Sequence, residues 1–122
     1  MLKVLIIVGT RPELIKLGPV IHEIRKIPEH CKVTVLSTGQ HPSLNTYDNQ
    51  LVDLFLEPVV ARGSLNILLS LLVSAISIQL DIYKPDILIV QGDTASSLAG
   101  AIAAANSQIP VAHVEAGLRT GN

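Results

Sequence analysis

The sequence predicts a three-layer α/β domain built on a five-stranded, mostly parallel sheet. Three observations carry that prediction. Short apolar runs recur at 3–8, 32–36, 86–90 and 111–115, segments of helical period lie between them, and cap or turn residues mark the junctions. Apolar runs of this length, without alternation, read as strands buried on both faces. Strands that alternate with helices imply parallel pairing through right-handed crossovers, with helices on both faces of the sheet. A length of 122 residues holds one domain with a sizeable core.

The elements follow in order. Lys3–Val8 is the first strand and Gly9-Thr10 its turn. Thr10 and Glu13 form a T-x-x-E capping box, and Pro12 falls in the first turn, where a missing N–H costs little. Leu14, Ile15, Leu17, Ile21, Ile24 and Ile27 then recur at helical spacing until Pro28. Lys32–Leu36 is the second strand. Gln40-His41-Pro42 turns into a helix expected to end near Phe55, and Val59-Val60 is the candidate third strand. Ser64–Tyr83 is a long uncharged helix except for its Asp81. Asp86–Val90 is a strand, Thr94–Asn106 an Ala-rich helix, and Val111–Glu115 the last strand.

Composition excludes several functions. Hydrophobic residues make up 48% but aromatic residues only 2%, so the core must be aliphatic. A net charge of −1 offers no electrostatic footprint for nucleic acid. The single Cys31 cannot form an internal disulfide, which suits a cytoplasmic location. The opening MLKVLIIVGTRPE lacks the cleavage site of a signal peptide. Residues 63–80 carry no charge over 18 positions, the lower limit for a membrane span. Ser64, Asn66, Ser70, Ser74, Ser77 and Gln79 would be costly in lipid. A helix packed on the sheet, or against a second copy of the chain, is the expectation instead.

Charge placement points to the chemistry. Between Ile87 and Asn122 the charged residues are Asp93, Glu115 and Arg119. Asp93 and Glu115 each close an apolar strand, and ligands of open parallel sheets bind at the carboxyl ends of strands. Two acids at neighbouring strand ends suit an acid/base pair. Asp93 has a structural alternative, capping the helix that begins at Thr94. The Gly9-Thr10-Arg11 turn can offer backbone amides to a phosphate, with Arg11 and Lys16 nearby, or these two can be ordinary solvated helix charges. Glu13 reads as a cap residue rather than a catalyst. Gln40-His41 is a turn at the second strand, open to a site or to plain solvent. His113 shares a sheet face with Glu115 and is either a site residue or a satisfied core histidine. His22 and His30 read as surface residues. No metal-ligand spacing, G-x-G-x-x-G, Walker A loop or nucleophile elbow is present.

Four motifs, GTRPELIK (9–16), STGQH (37–41), PDILIVQGDT (85–94) and IPVAHVEAGLRTG (109–121), together resemble the non-hydrolysing UDP-N-acetylglucosamine 2-epimerases, in the order and spacing of that family's start. A hydrolysing relative would carry a different first turn. The resemblance implies a Rossmann-like N-terminal domain at 1–122, incomplete, of a two-domain GT-B-like fold, with a C-terminal UDP-binding domain absent. It implies interconversion of UDP-GlcNAc and UDP-ManNAc, with a UDP-sugar as ligand, a homodimer, and neither nicotinamide, metal nor other cofactor. Asp93 and Glu115 match the acid/base groups. Arg11 and Lys16 match positions near the phosphates or sugar, and His113 and Arg119 are the further substrate-binding candidates. Gln40 and His41 match a turn that touches a second, regulatory UDP-GlcNAc. The same resemblance implies that 122 residues alone are inactive, because half of the cleft is missing. The alternatives are the N-terminal domain of a GT-B glycosyltransferase and a non-catalytic truncated domain.

Overall fold

The computed structural model describes residues 1–39, 51–57 and 64–114. They form β1 (Leu2–Val8), α1 (Arg11–Arg25), β2 (Cys31–Ser37), β3 (Leu54–Phe55), α2 (Leu65–Tyr83), β4 (Ile87–Gln91), α3 (Ala95–Asn106) and β5 (Val111–Val114). The five strands make one sheet in the order β3-β2-β1-β4-β5. All four strand pairings are parallel, as the apolar runs predicted.

Alternation along β1 divides the interior into two cores. Val4, Ile6 and Val8 face α1, packing with Leu14, Leu17, Ile21, Val35 and Ile89. Leu5 and Ile7 face the other way, onto Leu72, Ile76 and Leu80 of α2 and Ala99, Ala103 and Ala104 of α3. The sheet is thus covered on both faces, and β1 lies at its centre. Leu5, Ile6 and Ile7 are almost fully buried. Within the helical run first read on α1, Leu14, Leu17 and Ile21 are buried, whereas Ile15 and Ile27 are exposed.

Each of the three described helices starts on a hydroxyl cap, the arrangement that satisfies first-turn amides. Thr10 accepts from the Glu13 N–H, Ser64 from the Ile67 N–H and Thr94 from the Ser97 N–H. α2 ends on Lys84, a left-handed residue at φ 46°, before the buried Pro85. α2 is long and apolar enough to cross a membrane by length and composition. Its Leu72, Ile76 and Leu80 nevertheless pack into the sheet's core.

The third strand corrects the expected helix end near Phe55, while residues 42–50 of that reading lie outside the described residues. Leu54 and Phe55 pair with Leu36 and Ser37, where a helix was expected to be ending. The Asp53 carboxylate explains why a strand forms there. Its Oδ2 accepts the Val35 N–H at 2.7 Å and meets the Arg25 guanidinium at 3.2 Å. The side chain therefore extends the ladder by one bond and ties the sheet edge to α1. Val59-Val60 lies outside the described residues.

Candidate functional site

Strand order reverses direction between β1 and β4, and a parallel sheet opens a ligand crevice beyond the carboxyl ends of such strands. Here the two strands part. Their pairing ends at Ile6 with Ile89, although β1 runs to Val8 and β4 to Gln91. On the outer sides pairing persists, through Val8 with Ser37 and Gln91 with Val114. The crevice is therefore bounded by the Gly9-Thr10 turn, the Gly92-Asp93-Thr94 turn, and the ends of β2 and β5.

Asp93 stands in the turn after β4. It is exposed and makes no hydrogen bond to the described residues. The helix cap that was its structural alternative is Thr94, whose side chain accepts the Ser97 N–H at 3.3 Å. That leaves the Asp93 carboxylate open to solvent and to a ligand. Gly92 turns the chain at φ +72°, a left-handed conformation that glycine adopts without steric cost. Its N–H donates to the Val114 carbonyl at 3.2 Å. Its own carbonyl accepts from the Ser97 hydroxyl at 3.1 Å and from His113 Nε2. His113 is exposed, so it is not a core histidine. It braces the turn that carries Asp93.

The second turn differs from the phosphate cradle considered from sequence. Glu13 is 1% exposed, and its Oε1 accepts the Gly9 N–H at 2.8 Å. Pro12 has no N–H, and the Glu13 N–H faces the Thr10 hydroxyl at 3.5 Å. The anion at the start of α1 is thus the protein's own carboxylate, where helix dipole and amides both favour negative charge. Arg11, at the first position of α1, and Lys16 are exposed. The Gly9 and Glu13 amides are thus already engaged, and a phosphate here could be met by the two side chains.

Glu13 also crosses the crevice. Its Oε2 accepts the Thr94 hydroxyl, so one carboxylate joins the two turns. Sequence reading found the capping box but not this bridge, because Thr94 lies 81 residues along the chain. The available signal was the pairing of T-x-x-E at 10–13 with a second hydroxyl cap, T-x-x-S, at 94–97. Deeper in, the Thr38 and Ser96 hydroxyls meet at 2.9 Å, linking β2 to α3. Gln40, His41, Glu115 and Arg119 lie outside the described residues. His22 and His30 are exposed. Among the described residues, no group of three or more His, Cys, Asp or Glu could hold a metal ion.

Comparison with known proteins gives consistent results. Residues 22–122 match the family model described as UDP-N-acetylglucosamine 2-epimerase. The Bacillus subtilis UDP-N-acetylglucosamine 2-epimerase is 43% identical over 131 residues, covering 99% of this chain and 33% of the relative. The Escherichia coli K12 enzyme of that name is 38% identical over 130 residues, with the same coverage. A crystal structure of UDP-GlcNAc 2-epimerase from Neisseria meningitidis bound to UDP-GlcNAc superimposes with a TM-score of 0.87 at 37% identity, over 98% of this chain and 33% of that one. The chain spans about a third of the length of the curated relatives it matches.

Proposed function

The chain belongs to the UDP-N-acetylglucosamine 2-epimerase family, and from that premise we propose that it supplies the acid–base side of a site interconverting UDP-GlcNAc and UDP-ManNAc. The observation that carries the reading is Asp93: an exposed carboxylate at the end of β4, beside the parting of β1 and β4. Asp93 and Glu115 serve as proton-transfer groups. One removes the C2 proton as the C1–O bond to UDP breaks, leaving a 2-acetamidoglucal. Re-addition of UDP to C1, with a proton delivered to the opposite face of C2, gives the epimer. Two groups on two faces meet the requirement that inversion at C2 sets.

Departure of a diphosphate needs positive charge near the leaving oxygen. Arg11 and Lys16 supply it through their side chains, with Arg119 and His113 as further contacts. Gln40 and His41 form the regulatory UDP-GlcNAc site. A second domain, contained in the remaining two-thirds of the relatives' length, grips UDP and closes the cleft. No metal or nicotinamide enters this scheme. The protein works in the cytoplasm as a homodimer, paired through the exposed side of α2.

The test is epimerisation of UDP-GlcNAc by the full-length protein in D2O. Turnover with deuterium appearing at C2 is expected. Epimerisation without C2 exchange would remove the proton-transfer assignment, and absence of turnover would remove the function.

A further inference from the structure

We propose that Glu13 is a positioning residue for proton transfer, holding the Asp93 turn against the β1 turn across the crevice; this deepens the epimerase reading and rests on it. The β5 side of the Asp93 turn is held by the Gly92 N–H on Val114 and by His113 on the Gly92 carbonyl. The β1 side lacks such a ladder, because β1–β4 pairing has ended at Ile6 and Ile89. Glu13 spans that gap. Oε1 takes the Gly9 N–H at 2.8 Å and Oε2 takes the hydroxyl of Thr94, the residue next to Asp93.

The residue type fits the task. Two donors, one N–H and one O–H, face the same point from opposite walls, and a carboxylate offers an acceptor to each. Thr94 is doubly committed, since its hydroxyl also accepts the Ser97 N–H. Moving Glu13 would therefore disturb the start of α3 and the turn preceding it. At 1% exposure, water cannot readily replace the lost bonds, and unpaired buried donors are costly. A carboxylate that stands between two catalytic turns, and is itself shielded from substrate, acts through the geometry of its neighbour.

The experiment is steady-state kinetics of the full-length protein on UDP-GlcNAc, together with amide exchange at Gly9 and at the 92–94 turn. Misplacement of a reacting group by about 1 Å can cost about a hundredfold in rate. Glu13→Ala should therefore lower kcat about tenfold to hundredfold, leave KM within about threefold, and speed exchange at both turns. Glu13→Gln, which keeps the length and can still accept from Gly9 and donate to Thr94, should recover most of that loss. If Glu13 acts through Asp93, adding Glu13→Ala to Asp93→Asn should cost less than about twofold more, because residues in one network are not additive.

A folded Glu13→Ala protein with wild-type kcat, or a full extra loss on top of Asp93→Asn, overturns the proposal. Should Glu13→Ala fail to fold, Thr94→Val cuts the same bridge from the other side and the same outcomes apply. If wild-type protein leaves UDP-GlcNAc unchanged, the epimerase reading falls, and the exchange rates alone decide whether Glu13 clamps the two turns.

Discussion

Asp93 and Thr94 are neighbours that divide the work of one turn. Thr94 spends its hydroxyl on structure, capping α3 and bonding Glu13, so that Asp93 can keep its carboxylate exposed. Asp93→Asn in the full-length protein should preserve the fold and lower turnover about a hundredfold to ten-thousandfold, the usual contribution of a general acid or base. C2 deuterium exchange measures it, and near-normal exchange would make the residue structural. Thr94→Val loses a cap and strands a buried carboxylate oxygen. It should destabilise the protein by about 1–3 kcal/mol in urea unfolding, whereas Thr94→Ser should stay close to wild type. The place of Asp93 was legible in the sequence, because the acid follows an apolar run that reads as a strand and the structure puts it in the turn after β4. The second role of Glu13 was not, since a capping box accounts for it locally and its distant partner is fixed only by tertiary structure.

Among the elements, α3 packs closely on the sheet at Gly100. A Cβ on Gly100 would lie 3.2 Å from Val90 Cγ1 and 3.4 Å from Leu88 Cδ2. Gly100→Val should therefore cost about 1–3 kcal/mol through overpacking, read as a lower urea midpoint at unchanged slope. α2 gives the opposite contrast on its two sides. Ile76 is fully buried and Ile78 is 59% exposed. Ile76→Ala should cost about 2–5 kcal/mol, and Ile78→Ala about 0.5 kcal/mol or less in a monomer. The three described helices were readable because each begins on a threonine or serine cap followed by a long periodic or small-residue run. β3 was not readable. It is two residues long, shows no alternation, and owes its place to the Arg25–Asp53 pair and to the β2 edge rather than to its own pattern.

At the scale of the whole molecule, exposed apolar residues recur on α2 and α3, besides Met1, Leu2, Ile15 and Ile27 elsewhere. Ile67, Leu71, Ile78 and Ile82 lie along one side of α2, and Leu98 and Ile102 along α3, all exposed. Exposed apolar patches often mark contact surfaces, and the apolar side of α2 supports the proposed homodimer. Ile78→Glu combined with Ile82→Glu should convert a dimer to a folded monomer in sedimentation, with its far-UV spectrum retained. A wild-type protein that sediments as a monomer at micromolar concentration would remove the dimer.

The central position of β1 also has a consequence in time. The earliest of the five strands to leave the ribosome lies between a neighbour translated soon after it and one translated 83 residues later. The Lys3 N–H finds the Asp86 carboxylate 83 residues later, and Val4 finds Ile87 in the same register. At a synthesis rate of about 5–20 residues per second, the most apolar strand waits about 4–17 seconds with one side unpaired. Translation order thus makes the core of the finished sheet the exposed edge of the nascent one. Arrested chains that stop short of β4 should accordingly be protease-sensitive and recruit chaperones, and release from both should coincide with the emergence of residues 87–91.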